Sequence, residues 1–135
     1  GLYYFPTTDG CHLYYKTTQG YIEGQWYQAS TVGGVPDRPQ TGAILGLDPG
    51  TGETRWRFPM VSTPSAGVLA TGGGLVFTGD AEGYLFALDA ETGKPLWRFQ
   101  TGGRVAAPPI TYRFEGKQYI ALAAGETMMV FGLIE

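Results

Sequence analysis

Leu47-Asp48-Pro49-Gly50-Thr51-Gly52-Glu53-Thr54-Arg55-Trp56-Arg57-Phe58 and Leu88-Asp89-Ala90-Glu91-Thr92-Gly93-Lys94-Pro95-Leu96-Trp97-Arg98-Phe99 are one motif written twice, at a constant offset of 41 residues. Leu, Asp, Thr, Gly, Trp, Arg and Phe are shared, seven identities in twelve positions, which is beyond coincidence. A period near 40 residues is that of a four-stranded propeller blade. The repeat therefore predicts an all-β chain that forms part of a β-propeller. Within each copy, Asp48 and Asp89 end a strand, where a short carboxylate accepts N–H groups of the following turn. Gly52 and Gly93 supply the left-handed backbone that such a turn demands. Trp56 and Trp97 fall on an outer strand, where a large ring fits between neighbouring blades and its indole N–H needs an acceptor. These six residues read as structural fastenings. A carboxylate that recurs with the repeat serves the repeat, so Asp48 and Asp89 are not read as catalytic.

Working outward, Val68-Leu69-Ala70-Thr71 and Leu75-Val76-Phe77-Thr78 form a hairpin around Gly72-Gly73-Gly74. Asp80-Ala81-Glu82-Gly83 turns into Tyr84–Leu88, and the second motif completes a full blade over 65–99. Ala43–Leu47 and the first motif close an earlier blade over 1–58. Its opening, Leu2-Tyr3-Tyr4-Phe5, Thr7-Thr8-Asp9-Gly10 and His12-Leu13-Tyr14-Tyr15, reads as a hairpin with an Asp-Gly turn. Gly1–Tyr4 matches Gly74–Phe77 at an offset of 73, which exceeds the motif offset by 32 and measures an insertion. The insertion is placed at about 17–42, where Gly20, Gly24, Gly33, Gly34, Pro36 and Pro39 break any periodicity. So long an irregular stretch is either a surface excursion or a functional lid or partner contact. Tyr21, Trp26 and Tyr27 are its candidate anchors. Residues 106–133 give three strands, Pro109–Tyr112, Gln118–Ala123 and Thr127–Phe131, and no further Asp…Gly…Trp segment before Glu135. A closing blade that takes its fourth strand from the far N-terminus has this form. The chain thus reads as about the last two and a half blades of a propeller.

Composition sets limits. With 22 glycines, 9 prolines and 14% aromatic residues, the chain suits short strands and tight turns rather than helices. Its net charge of −3, with scattered Lys and Arg, gives no reason to expect nucleic acid as a partner. A single cysteine, Cys11, excludes an internal disulfide, and no Cys-x-x-Cys-His is present to attach a c-type haem. The chain opens on Gly1 in what reads as mid-strand, so any export signal is expected upstream. His12 stands alone and reads as structural. Gly72–Gly74 joins two strands rather than a strand and a helix, against a nucleotide-binding role. Met128-Met129 reads as core.

The run Ala87–Trp97 resembles the tryptophan-docking motif of pyrroloquinoline quinone (PQQ) dehydrogenases. Ala66–Asp80, Arg98–Gly103, Ala106–Tyr112 and Gly116–Gly125 are together similar to the C-terminal part of the methanol- and ethanol-type quinoprotein alcohol dehydrogenases. The resemblance runs from about Ala43 to Leu133 and, more loosely, over Gly1–Tyr15. It implies an eight-bladed propeller with PQQ near the axis and a Ca2+ or lanthanide ion beside it. It further implies oxidation of a small alcohol to an aldehyde in the periplasm, with a cytochrome c as electron acceptor and the remaining blades of the same chain as structural partners. The metal-binding Glu and Asn and the catalytic Asp of that family have no counterpart in these 135 residues. Catalytic and metal residues are therefore expected outside them, and the isolated chain is expected to be inactive. The resemblance places the first strand of each blade near the axis. It offers Ser65, Ala66, Gly67, Val105 and Ala106 as cofactor-lining residues, or as small residues that simply fit a crowded propeller centre, and Thr8 or Asp9 as a further contact or as ordinary turn residues. Relatives often carry a Trp just before the Gly of the first segment, where this chain has Thr63-Pro64-Ser65-Ala66 and no Trp, which makes a more open wall. A non-catalytic PQQ-like propeller of the outer-membrane assembly type is the alternative implied by the docking motif.

Overall fold

A computed structural model describes residues 1–28 and 30–133. Twelve strands and no helix are found among them. The chain divides into two units, Gly1–Thr8 with Thr41–Glu135, and Asp9–Gln40.

The first unit holds three sheets in chain order. Strands β1 (Tyr3–Asp9), β4 (Thr41–Leu47) and β5 (Thr54–Met60) form one, in the order β1-β4-β5. Strands β6 (Leu69–Ala70), β7 (Leu75–Gly79), β8 (Tyr84–Asp89) and β9 (Pro95–Gln100) form an antiparallel meander. Strands β10 (Ile110–Phe114), β11 (Lys117–Ala124) and β12 (Thr127–Gly132) form a second meander.

Period-2 alternation assigns side chains to two cores, one in each space between successive sheets. Ile44, Trp56, Met60, Val76, Leu88 and Ala90 fill the first, with Leu2, Tyr4, Phe58, Val68 and Phe86 packed against them. Ala66, Leu85, Val105, Leu122 and Ala124 fill the second, with Met129 and Phe131. Strand β8 serves both: Phe86 and Leu88 face one core and Leu85 the other. Such a strand is buried on both faces and reads as a continuous apolar run, as Tyr84–Leu88 does. The register shifts between Gly46 and Leu47 in one sheet and between Ala87 and Leu88 in the next. The repeat is thus kept down to the bulge, at the same 41-residue offset as the motif.

In the hairpin Phe114–Lys117, Glu115 and Gly116 take φ of 48° and 80°. Positive φ at both central positions is the turn that matches the twist of two antiparallel strands.

The second unit, Asp9–Gln40, pairs β2 (His12–Lys16) with β3 (Ser30–Gly34), antiparallel, from His12↔Gly34 to Lys16↔Ser30. Tyr21 and Tyr27 meet edge to face at 5.7 Å, and Trp26 is exposed. This corrects the hairpin expected over residues 1–16: β2 does not return along β1. The reason lies in burial. Every residue of β2 is exposed, whereas Gly42, Ala43 and Ile44 of β4 are buried. Only β4 brings a face that completes the core, so β1 takes β4 as its neighbour and Thr7 donates its hydroxyl to the Ala43 carbonyl at 3.2 Å. The excursion consequently starts at Asp9, not near residue 17, and includes a strand pair where an irregular stretch was expected.

Candidate functional site

The two motif turns have one geometry. In the first, the Asp48 carboxylate accepts the N–H groups of Gly50 (2.9 Å) and Thr51 (3.3 Å). In the second, Asp89 accepts those of Glu91 (3.1 Å) and Thr92 (2.8 Å), and the Thr92 hydroxyl donates to it at 2.7 Å. That hydroxyl, followed by the Thr92 and Glu91 N–H groups and the Lys94 charge, holds the Asp89 carboxyl below the usual carboxylate range. Gly52 and Gly93 sit at φ of 76° and 70°.

The tryptophans differ. The Trp56 indole N–H donates to the Ala90 carbonyl at 3.0 Å, and the Tyr4 hydroxyl donates to the same oxygen at 3.0 Å. Both lone pairs of that carbonyl are thereby used. The two rings stack at 5.7 Å, and Trp56 is 8% exposed. A Cβ on Gly93 would lie 2.4 Å from the Trp56 ring. Trp97 lies against Phe99 and Phe131 and is 42% exposed.

The links that lead into β6 and β10 carry the cofactor-lining candidates. The structure brings them together. Ser65 donates its hydroxyl to the Val105 carbonyl at 3.1 Å, and the Arg104 Nε–H donates to the Ser65 oxygen at 3.3 Å. Val105 is anchored on three sides. Its N–H donates to the Asp80 carbonyl at 3.0 Å, it bridges to Ala124, and its side chain packs on Gly79, where an added Cβ would fall 2.3 Å away. The Thr101 hydroxyl lies 2.8 Å from both the Gly83 and the Gly103 carbonyl oxygens, sharing its one proton between them and tying the same link to the β7–β8 turn. Asp80 is buried, with a carboxylate oxygen accepting the Tyr84 N–H at 2.8 Å.

Burial sorts the candidates. Ala66 and Val105 turn their side chains into the second core and have no apolar surface left for a ligand. Gly67 and Ser65 are half-buried, and Ala106 and Arg104 are exposed. Asp9 is exposed at the end of β1 and belongs to the second unit, while Thr8, also exposed, belongs to the first. In the second unit, His12 meets Gln40 through its ring, and Arg38 lies 4.0 Å from the Cys11 sulfur. No cluster of three or more His, Cys, Asp or Glu able to hold a metal is found among the described residues. A concavity of about 450 Å3, lined by Phe58, Phe86, Pro95, Leu96, Trp97 and Arg98, lies on the outer strands and has no converging polar groups.

Arg104, beside these small residues, joins the site only in the structure. A signal for it was present. It is the sole charged residue in 61–68 and 101–109, the links that lead into β6 and β10. Against the donor chemistry a PQQ site requires, the described residues fit in part: one exposed guanidinium held by a hydroxyl, small residues beside it, and no cluster of three or more metal-ligating side chains.

The family model described as outer membrane protein assembly factor BamB (PQQ_2) matches residues 40–131. The chain is 39% identical over 127 residues to quinoprotein alcohol dehydrogenase PedE of Pseudomonas putida, covering 93% of this chain and 20% of that protein. It is 34% identical over 128 residues to the lanthanide-dependent methanol dehydrogenase of Methylorubrum extorquens, covering 93% and 21%. The crystal structure of quinohemoprotein alcohol dehydrogenase from Comamonas testosteroni superposes with a TM-score of 0.79 at 30% identity, over 93% of this chain and 20% of that one. The chain thus spans about a fifth of the length of these relatives, and its three sheets are part of a propeller. Repeat, superposition and identity agree, and the chain belongs to the PQQ-type β-propeller family that includes the quinoprotein alcohol dehydrogenases.

Proposed function

We propose that the protein containing this chain is a PQQ-dependent dehydrogenase that oxidises a primary alcohol to an aldehyde and passes the electrons to a cytochrome c in the periplasm. The observation that carries the reading is the identity to quinoprotein alcohol dehydrogenases along nearly the whole chain. When bound, the quinone supplies the two-electron redox chemistry, with Ca2+ or a lanthanide beside it. In this reading the metal ligands and the catalytic base come from other blades. The present residues build the wall. Ser65, Gly67 and Ala106 border the cofactor with small side chains, and Ala66 and Val105 support them from the core. Asp48, Gly52, Trp56, Asp89, Gly93 and Trp97 lock the blades on which that wall rests.

Reconstitution of the full-length protein with PQQ and Ca2+ or a lanthanide, followed by dye-linked oxidation of a series of alcohols, tests the proposal. Turnover that depends on both PQQ and metal is expected. A protein that binds no PQQ and oxidises no alcohol with either metal would overturn it. That outcome would favour a non-catalytic assembly scaffold, the reading suggested by the description of the matching family model.

A further inference from the structure

We propose that Arg104 anchors a carboxylate of the bound quinone, with Ser65 as its positioning residue. The inference rests on the PQQ reading above and adds to it a residue from a blade that supplies no catalytic group.

Three observations converge. Arg104 is the sole charge in two otherwise uncharged links, and it is exposed at the entry to β10, the first strand of its sheet. Its Nε–H is committed to Ser65, and no carboxylate pairs with its guanidinium among the described residues. The side chain is also held in a fixed sense. Ser65 has one proton, which it gives to the Val105 carbonyl, so toward Arg104 its oxygen can only accept. Val105 is itself immobilised by Asp80 and Ala124. A guanidinium steadied at Nε still presents its terminal nitrogens to a planar anion, and a pre-ordered cation loses less entropy on binding one.

PQQ carries three carboxylates, which a fork of N–H donors matches in geometry as well as in charge. Beside Arg104, Gly102 has open space around it and Ala106 is exposed, which leaves room for a ligand to approach.

The test is titration of the full-length apoprotein with PQQ, followed by equilibrium dialysis and by quenching of tryptophan fluorescence. Arg104→Gln should weaken binding by about 10- to 100-fold, as expected for loss of a charge-assisted contact. Arg104→Lys, which keeps the charge and loses the fork, should fall between. Ser65→Ala should weaken binding several-fold, and Arg113→Gln, an exposed control on β10, should leave it unchanged. The ratio between wild type and Arg104→Gln should collapse toward one when PQQ trimethyl ester replaces PQQ, a readout that a purely structural role would not move. Wild-type binding with Arg104→Lys and Arg104→Gln both within about twofold of it overturns the inference and leaves the PQQ reading standing. A wild-type protein that does not bind PQQ overturns the PQQ reading itself.

Discussion

Gly52 and Gly93 occupy the same place in the two motif turns, and alanine at each tests how the blades are joined. Both have positive φ, so a Cβ costs about 1–2 kcal/mol at either position. They differ in what the Cβ would meet. At Gly52 nothing lies within 4 Å, whereas at Gly93 the new atom falls 2.4 Å from Trp56 Cε3 and 2.6 Å from Cδ2. Ordinary contact begins at 3.4 Å, so the indole would have to retreat by about 1 Å. Gly46 and Tyr4, both against the same ring, restrict that retreat. Displacement also breaks the indole bond to Ala90. Overpacking costs about 1–3 kcal/mol and the lost bond about 1 kcal/mol more. Gly93→Ala should therefore destabilise by about 3–6 kcal/mol, against about 1–2 for Gly52→Ala. Urea unfolding followed by far-ultraviolet circular dichroism, at one protein concentration, measures the difference. In a Trp56→Ala background the excess at Gly93 should vanish. Equal losses at the two glycines, or an excess that survives removal of Trp56, would refute the reasoning.

Three further outcomes are expected. Gly79→Ala should cost about 1–3 kcal/mol, because its Cβ meets Val105 at 2.3 Å, and Val105→Ala in the same chain should recover part of the loss by thermal melting. Glu115→Asn should stabilise by a few tenths of a kcal/mol or more, since Asn tolerates the positive φ that Glu115 adopts, and the melting temperature should rise. The lowered pKa of Asp89 gives stability that is present above the unfolded carboxylate value, near 3.8, and lost as pH falls through the lower folded value. Thr92→Ala removes the main cause of the shift and should flatten the decline of stability between about pH 4 and 2, read from urea midpoints across that range.

Much of the fold was legible because a repeat reports on itself. Two copies of one motif set the blade period, and the same offset reappears as a bulge at Gly46 and at Ala87. The opening hairpin was not legible. Asp9-Gly10 has the chemistry of a tight turn, and His12–Tyr15 has the residues of a strand, so local signals favoured their pairing with Leu2–Phe5. What decided against it was non-local: Ala43 and Ile44 complete a core that the exposed β2 does not. Burial at the lining candidates was not legible. Ala66 and Val105 have the small, apolar character of ligand-lining residues and of packed core alike, and only burial separates the two. Arg104 is a lone charge in its link, yet its tie to Ser65 spans 39 residues and exists only once the sheets are side by side.

The seat of Trp56 is made of a carbonyl oxygen and a missing side chain, Ala90 and Gly93, with Tyr4 reaching the same oxygen. The receiving blade contributes peptide and empty space rather than a matching residue. Because the indole bonds to a main-chain oxygen, the side chain at position 90 can change without removing that bond, whereas position 93 is held to glycine by the ring against it.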